Sequence, residues 1–274
     1  MSNFDIKRFA KVAQWTWRMN FKGALSYAAG MSFGFLCTYI GWIYPYLKGM
    51  DAGGEERMVH SISFCTLVYL LIFIISGTWI FADMKTKATC TTVKLQPASD
   101  LEKFLVRFLG VTLGVAVMGI VSFCIADIVR IVACLITGVD YVAFGLPYFL
   151  QMIFTDSEFV GAIEVGGSIY PTAVNFTALG WCLWAQSLYV LGGTVLRRYQ
   201  FVITTTVHVL LFIALAVVVA YGNGNIEATV MDEGLAPTFY TIGAVLFGIA
   251  VLNWWFSYRI FKRMQVINNK WINL

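Results

Sequence analysis

Long apolar runs without a single charged residue alternate with short polar segments along the chain. A helix that crosses a bilayer needs about 20 mostly apolar residues, and six runs approach or exceed that length. They cover 24–47, 59–82, 108–126, 173–196, 201–221 and 238–258. The runs are continuous instead of alternating apolar with polar residues, and backbone amides in hydrocarbon must be paired, so they predict helices and not barrel strands. We predict an all-α fold, a polytopic membrane helical bundle with six transmembrane helices.

Composition and charge add an orientation to this prediction. Hydrophobic residues make up 59% of the 274 residues and charged residues 12%, whereas soluble domains carry about 25% charged residues. With six spans, 16 of the 19 basic residues fall on one side and 11 of the 15 acidic residues on the other. Because Lys and Arg accumulate in the cytoplasm, both termini are predicted to be cytoplasmic. The net charge of +4 averages two unlike faces, so it implies no nucleic-acid partner.

The first 22 residues have an amphipathic pattern that precedes the first span. One helical face carries apolar side chains and the opposite face basic ones, a pattern typical of a helix lying in the membrane interface. The apolar face holds Ile6, Phe9, Ala10, Ala13 and Trp17, and the basic face Lys7, Lys11, Arg18 and Lys22. We predict an interfacial elbow helix over 4–22, serving as a lipid anchor or as a brace for the first span. No cleavage signal is recognisable, so the first span is expected to remain as an anchor.

The longest connection, 127–171, is predicted on the outer side. It contains the apolar segment 141–154, which is too short to span the bilayer and is interrupted by Pro147. A seventh crossing here would put Arg197 and Arg198 outside, against the charge rule. The segment is therefore predicted to be re-entrant or interfacial within one transmembrane domain, 1–274.

The cytoplasmic loop 83–103 has the most defined local signals of any connection. Ser99 followed by Glu102 forms the pattern of a capping box, which predicts that a helix begins at Ser99. Pro97 disfavours a helical conformation in the residue before it, so the chain is expected to turn there. These signals on their own indicate a well-capped entrance to the third span.

The same segment, KLQPASDLEKFLVRFLG, resembles the residues before the third span in exporter-type ABC transporter permeases of Bacteroidetes-like bacteria. Pro97, Ala98, Ser99, Glu102 and Lys103 match the pattern of that family, whereas Gln96 stands where Leu is expected. The basic end SYRIFKRMQV (257–266) is also similar. The resemblance implies six spans in the bacterial inner membrane, an elbow helix, and a loop between spans two and three that contacts an ATPase.

Two further charged or titratable features lie in or near the apolar runs. Asp127 and Arg130 are three residues apart on one helix face, which favours a local ion pair at the outer interface over a contact to substrate. His208 lies early in the fifth run, and a lone histidine there is more typical of packing than of proton transfer. The six cysteines show no CxxC pairing, so they predict neither a disulfide framework nor a metal site.

The motifs of catalysis are missing from the sequence. It has no GxxxxGK[ST] loop, no HExxH pair, no GxSxG elbow and only two histidines, so we predict no enzyme and no metal or cofactor in this chain. ATP would be bound by a partner.

The functional hypothesis is a permease subunit that forms the substrate path as a homodimer or heterodimer with a second permease chain. It would couple to a cytoplasmic ABC ATPase through Lys94, Pro97, Ser99, Glu102 and Lys103. A secondary transporter is one alternative; it is disfavoured because acidic residues at mid-membrane and paired interrupted helices are not apparent. A non-transporting scaffold or regulatory subunit is the other.

Overall fold

The computed structural model describes residues 4–47, 54–84, 87–137, 143–154, 171–196, 199–222 and 235–264. Within these ranges the chain is almost entirely helical and contains no strand, which confirms the all-α fold. The α-helices are α1 (Ile6–Leu47), α2 (Gly54–Ile75), α3 (Lys87–Leu95), α4 (Asp100–Leu109), α5 (Val115–Thr137), α6 (Leu146–Phe154), α7 (Pro171–Val195), α8 (Gln200–Gly222) and α9 (Leu235–Arg263).

Three helical stretches are long and apolar enough to cross a membrane in the described part of the chain, and they suggest a membrane protein. They are Met58–Ala82, Asp100–Thr137 and Pro237–Arg263, and they contain the second, third and sixth predicted spans. A shorter apolar helix covers Gln200–Ala214. α7 is helical over the fourth predicted span but carries Asn175, Gln186 and Ser187, polar side chains that lower its mean hydropathy.

The elbow and the first predicted span form one continuous helix, α1. The segment contains no proline between residues 6 and 44, so nothing in the backbone forces a break after residue 22. Val12 is buried, whereas Ile6 and Trp17 on the predicted apolar face are 72% and 59% exposed. Ile6 and Trp17 are therefore accessible at the surface.

Two of the membrane-length stretches are interrupted by tighter or wider helical turns. A 3-10 helical segment, Ser76–Met84, continues directly from α2, and a π-helical turn, Gly110–Gly114, joins α4 to α5. The absence of visibly interrupted helices in the sequence counts against a secondary transporter, and the 3-10 and π-helical turns in these two stretches weaken that reason.

The predicted outer loop 127–171 is partly helical. α5 continues to Thr137, and Leu146–Phe154 forms the short helix α6; residues 138–142 and 155–170 lie outside the described residues, so the acidic side chains there that supported the orientation are not described.

The chain divides into two compact units. One comprises Met1–Thr16, Phe73–Leu113 and Glu164–Leu274, and the other Trp17–Ile72 and Gly114–Ile163. We call them the coupling unit and the latch unit. In the latch unit, Phe123 of α5 stacks on Phe149 of α6 with ring centroids 4.1 Å apart. In the coupling unit, Phe81 of the 3-10 segment stacks on Phe261 of α9 at 5.1 Å.

Candidate functional site

The capping box predicted from the sequence is present at the start of α4. The Ser99 hydroxyl accepts a hydrogen bond from the Glu102 amide at 3.2 Å, and Glu102 Oε2 accepts one from the Ser99 amide at 2.9 Å. Each residue thus pairs a backbone N–H that the first helical turn leaves unbonded. The prediction that a helix begins at Ser99 is confirmed.

Glu102 also binds the beginning of α1. Its Oε1 atom accepts a hydrogen bond from the Asp5 amide at 2.8 Å and one from Arg8 Nη2 at 3.3 Å. Glu102 is completely buried, and the carboxylate is stabilised there by hydrogen bonds from two chain segments and by the charge of Arg8. It therefore joins the N-terminal ends of α1 and α4.

Lys94 binds the C-terminal end of α9. Its ammonium group donates to the Phe261 carbonyl at 3.0 Å, lies 4.3 Å from the centroid of the Phe261 ring and is 3.7 Å from the Asp100 carboxylate. Carbonyls in the last turn of a helix have no intrahelical partner and carry partial negative charge, so a lysine is favoured at this place. Lys103 donates in turn to the Lys94 carbonyl at 2.9 Å.

These contacts change the role expected for the candidate coupling residues. Lys103 is only 3% exposed, so its charge is directed into the protein and not toward a partner. Pro97 lies exposed in the turn before α4, and the exposed apolar residues beside it are Leu95, at 77%, and Leu101, at 37%. The charged residues hold the shape of the connection, and the apolar ones form its free surface.

Asp127 and Arg130 form an ion pair in the latch unit. Arg130 Nε donates to Asp127 Oδ1 at 2.8 Å, and Nη2 lies 2.7 Å from the same oxygen. The sequence placed this pair at the outer interface, but Asp127 is completely buried and Arg130 is 3% exposed. The pair is covered because α5 continues beyond it and because the turn at Gly145 and Tyr39 pack over it, and its depth in a membrane stays a prediction.

The pair also holds the chain segment that leads into α6. Asp127 Oδ2 accepts a hydrogen bond from the Gly145 amide at 2.7 Å, and Arg130 Nη2 donates to the Ala143 carbonyl at 2.6 Å. The guanidinium carbon lies 5.4 Å from the centroid of the Tyr39 ring on α1. The Asp127 carboxylate and the Arg130 guanidinium therefore both bind the backbone just before α6, and both side chains are used in these contacts.

The described residues contain no group of three or more His, Cys, Asp or Glu side chains able to hold a metal ion. All six cysteines are free thiols. What the two clusters can do is hold connections to helix ends, which is a positioning role.

Gln186 on α7 was missed by the sequence analysis. Its side chain is completely buried, and neither amide atom has a hydrogen-bond partner in the described part of the chain. Its signal in the sequence is a strongly polar side chain inside an apolar run.

His208 on α8 lies among aromatic rings. The centroid of its ring is 6.0 Å from that of Trp181, 5.6 Å from that of Trp184 and 5.9 Å from that of Tyr189.

Comparisons with known proteins give no relationship from which a role could be transferred. No protein-family model, no curated protein and no solved structure matches this chain. A role for this chain must therefore be inferred from its own residues.

Proposed function

We propose that the chain is the membrane-spanning permease subunit of an exporter-type ABC transporter in a bacterial inner membrane. It forms the substrate path together with a second permease chain, identical or related, and receives motion from a separate cytoplasmic ATPase. One observation carries the proposal: the connection 87–103 is hydrogen-bonded both to the beginning of α1 and to the end of α9. A partner that moves this connection would act on three helices at once.

The same contacts support a six-span topology with both termini on one side. Asp5 and Glu102 are in hydrogen-bond contact, as expected if an even number of crossings, predicted spans one and two, separates them. Lys94 and Phe261 are also in contact, which agrees with the four spans predicted between them. Basic residues at all three contacting segments favour the cytoplasm for this side.

The exposed residues of the connection are the proposed docking surface for the ATPase. Leu95 and Leu101 flank the turn at Pro97. Leu95 is 77% exposed, so replacing it removes little packing within the protein. Glu102, Lys94 and Lys103 act behind this surface by transmitting displacement into α4 and α9. Docking and transmission thus fall to different residues and can be separated by substitution.

The test is copurification of the ATPase from mild detergent, followed by ATP hydrolysis in nanodiscs. Leu95→Asp is expected to abolish recovery of the ATPase while leaving the melting temperature of the permease unchanged. Ile136→Asp is the matched control, because Ile136 is a similarly exposed apolar residue, at 81%, on the predicted outer side. The triple substitution of Pro97, Ser99 and Glu102 leaves both leucines in place, so it is expected to reduce ATP hydrolysis by loosening the connection.

Two results would overturn the proposal. Either no ATPase copurifies with the natural chain, or Leu95→Asp and the triple substitution both leave recovery of the ATPase and ATP hydrolysis unchanged.

The second candidate is a secondary transporter, favoured by the interruptions within Met58–Ala82 and Asp100–Thr137. Interrupted membrane helices line substrate sites in such proteins. Solute uptake driven by an ion gradient in vesicles that lack any ATPase would support that candidate instead.

A further inference from the structure

Two interrupted helical stretches carry the chain from one compact unit to the other. The latch unit consists of 17–72 and 114–163, so the described chain passes between the units at 16/17, 72/73 and 113/114. The second passage lies just before the 3-10 segment, which begins at Ser76, and the third lies within the π-helical turn Gly110–Gly114. Two of these three passages therefore lie at or next to a departure from the α-helix.

The π-helical turn is a place where the stretch Asp100–Thr137 can bend. Sharp bends of helices occur at such turns, and short non-α pieces within a helix mark hinges. Gly110 and Gly114 stand at its two ends, and glycine has the widest choice of backbone angles. A Cβ atom built on Gly110 would have no atom within 4 Å, so the backbone there has room to change its angles.

Ser76 joins the two interruptions. Its side chain is completely buried, and its hydroxyl oxygen lies 2.6 Å from the Phe73 carbonyl oxygen and 2.8 Å from that of Val111 in the π-helical turn. A hydroxyl has one proton to donate, so the two carbonyls share it. The interruptions are thereby held side by side by a hydrogen bond that can shift between two acceptors.

The 3-10 segment itself is fixed within the coupling unit. A Cβ atom added to Gly77 would lie 2.6 Å from the Val190 nitrogen of α7, and one added to Gly193 of α7 would lie 3.0 Å from the Gly77 carbonyl oxygen. This direct backbone contact leaves the segment no space to shift against α7. Bending between α2 and the 3-10 segment is therefore confined to 73–76.

In the latch unit, α2 and α5 are fastened to each other close to the same passages. The Tyr69 hydroxyl donates a hydrogen bond to the Ala116 carbonyl at 3.4 Å. The Tyr69 ring also fills the space beside Gly119, where an added Cβ atom would collide with it. The two helices therefore move together.

We propose that 73–76 and 110–114 form one joint, at which the latch unit turns as a rigid body during transport. Hinges of this kind are a few residues at the ends of helices that absorb a change in backbone angles. The remaining described passage, between Thr16 and Trp17, lies inside α1 without an interruption, and long helices bend gently along their length. The joint goes beyond the proposed function, because it serves an ATPase-coupled permease and a secondary transporter alike.

The experiment measures distances between two spin labels by pulsed electron paramagnetic resonance, in nanodiscs and without any ATPase. The labels are attached to introduced cysteines in a chain from which the six natural cysteines have been removed. Leu252→Cys of α9 with Leu135→Cys of α5 joins the two units, and Leu67→Cys of α2 with Leu135→Cys lies within the latch unit; all three positions are exposed. The distance distribution of the first pair is expected to be about twofold wider than that of the second. Equal widths would overturn the joint.

Deletion of Thr112 tests the π-helical turn. Taking one residue from a turn with i→i+5 hydrogen bonds leaves the i→i+4 spacing of an α-helix. The distribution between labels at 252 and 135 is then expected to narrow to the width found within the latch unit. A width equal to that of the natural turn would contradict the proposal.

Ser76→Ala keeps the test independent of whether the deletion variant folds. Losing the hydroxyl that holds the interruptions together is expected to widen the distribution between labels at 252 and 135. Thr78→Val is the matched control, because the buried Thr78 hydroxyl donates to the Ile75 carbonyl at 2.9 Å and does not join the π-helical turn; it is expected to leave the width unchanged. No widening in Ser76→Ala, or equal widening in Thr78→Val, would overturn the joint.

Discussion

The Asp5 amide donates a hydrogen bond of 2.8 Å to Glu102, a residue 97 positions later in the chain. The acceptor is Glu102 Oε1, and the other oxygen of the same carboxylate, Oε2, completes the capping box of α4. A local device for starting a helix is thereby also a long-range contact to the beginning of α1. Substitution at Glu102 should therefore affect two helix ends.

Glu102→Gln is expected to destabilise the coupling unit by about 1–3 kcal/mol, since a neutral amide is a weaker acceptor and leaves Arg8 without its buried counter-charge. Thermal unfolding in detergent measures the loss. Asp100→Asn is the matched control, because the Asp100 side chain is 37% exposed and its contact to Lys94 is screened by solvent. Equal effects of the two substitutions would contradict the role assigned to Glu102.

Arg130→Ala is expected to cost about 3–5 kcal/mol in the natural chain, because it leaves the Asp127 carboxylate buried without its partner. The loss should be smaller in an Asp127→Ala background. A double-mutant cycle on the free energy of unfolding measures the coupling.

The Asp5 and Arg8 pair serves as the comparison for that cycle. It is 4.0 Å apart with side chains 48% and 34% exposed, and such surface pairs are coupled by about 0–1 kcal/mol. Only the coupling energies are compared, because Arg8 also binds the buried Glu102 carboxylate and its loss affects that contact too. Additive losses at positions 127 and 130 would mean that the two side chains do not interact in the protein as it exists in a membrane or micelle.

Gly180→Ala is expected to destabilise the packing of α7 on α9 by about 1–3 kcal/mol, since the added Cβ would meet the Gly243 carbonyl oxygen at 2.8 Å. Backbone cannot give way as a flexible side chain can. Gly248→Ala on α9 is the control: no atom lies within 4 Å of its added Cβ, and alanine favours the helix. Unfolding by heat should separate the two variants, and a neutral Gly180→Ala would refute the close approach.

Leu95→Cys in a cysteine-free chain is expected to react with a membrane-impermeant maleimide only after the membrane has been permeabilised. Thiols placed near Asp156 or Glu233 should react in intact cells. The two reactions together examine the six-span topology with cytoplasmic termini, which follows from the distribution of basic residues. Labelling of Leu95→Cys in intact cells would reverse the orientation.

Features decided by neighbouring residues could be predicted from the sequence. The all-α fold follows from apolar length and the need to pair every backbone amide in hydrocarbon. The start of α4 follows from Ser99 and Glu102, because a capping box is complete within four residues. The proximity of Asp127 to Arg130 follows from their spacing on one helix.

Only the tertiary structure decided what these residues contact beyond their own turn. Glu102 reaches Asp5 and Lys94 reaches Phe261 through helix packing, which no local spacing encodes. Burial of Asp127 depends on Tyr39 of α1 and on the Gly145 turn. The lack of a hydrogen-bond partner for the Gln186 amide among the described residues depends on which groups surround α7. Local chemistry acts over a few bonds and is readable along the chain, whereas these contacts join residues far apart in sequence and exist only after the helices have packed.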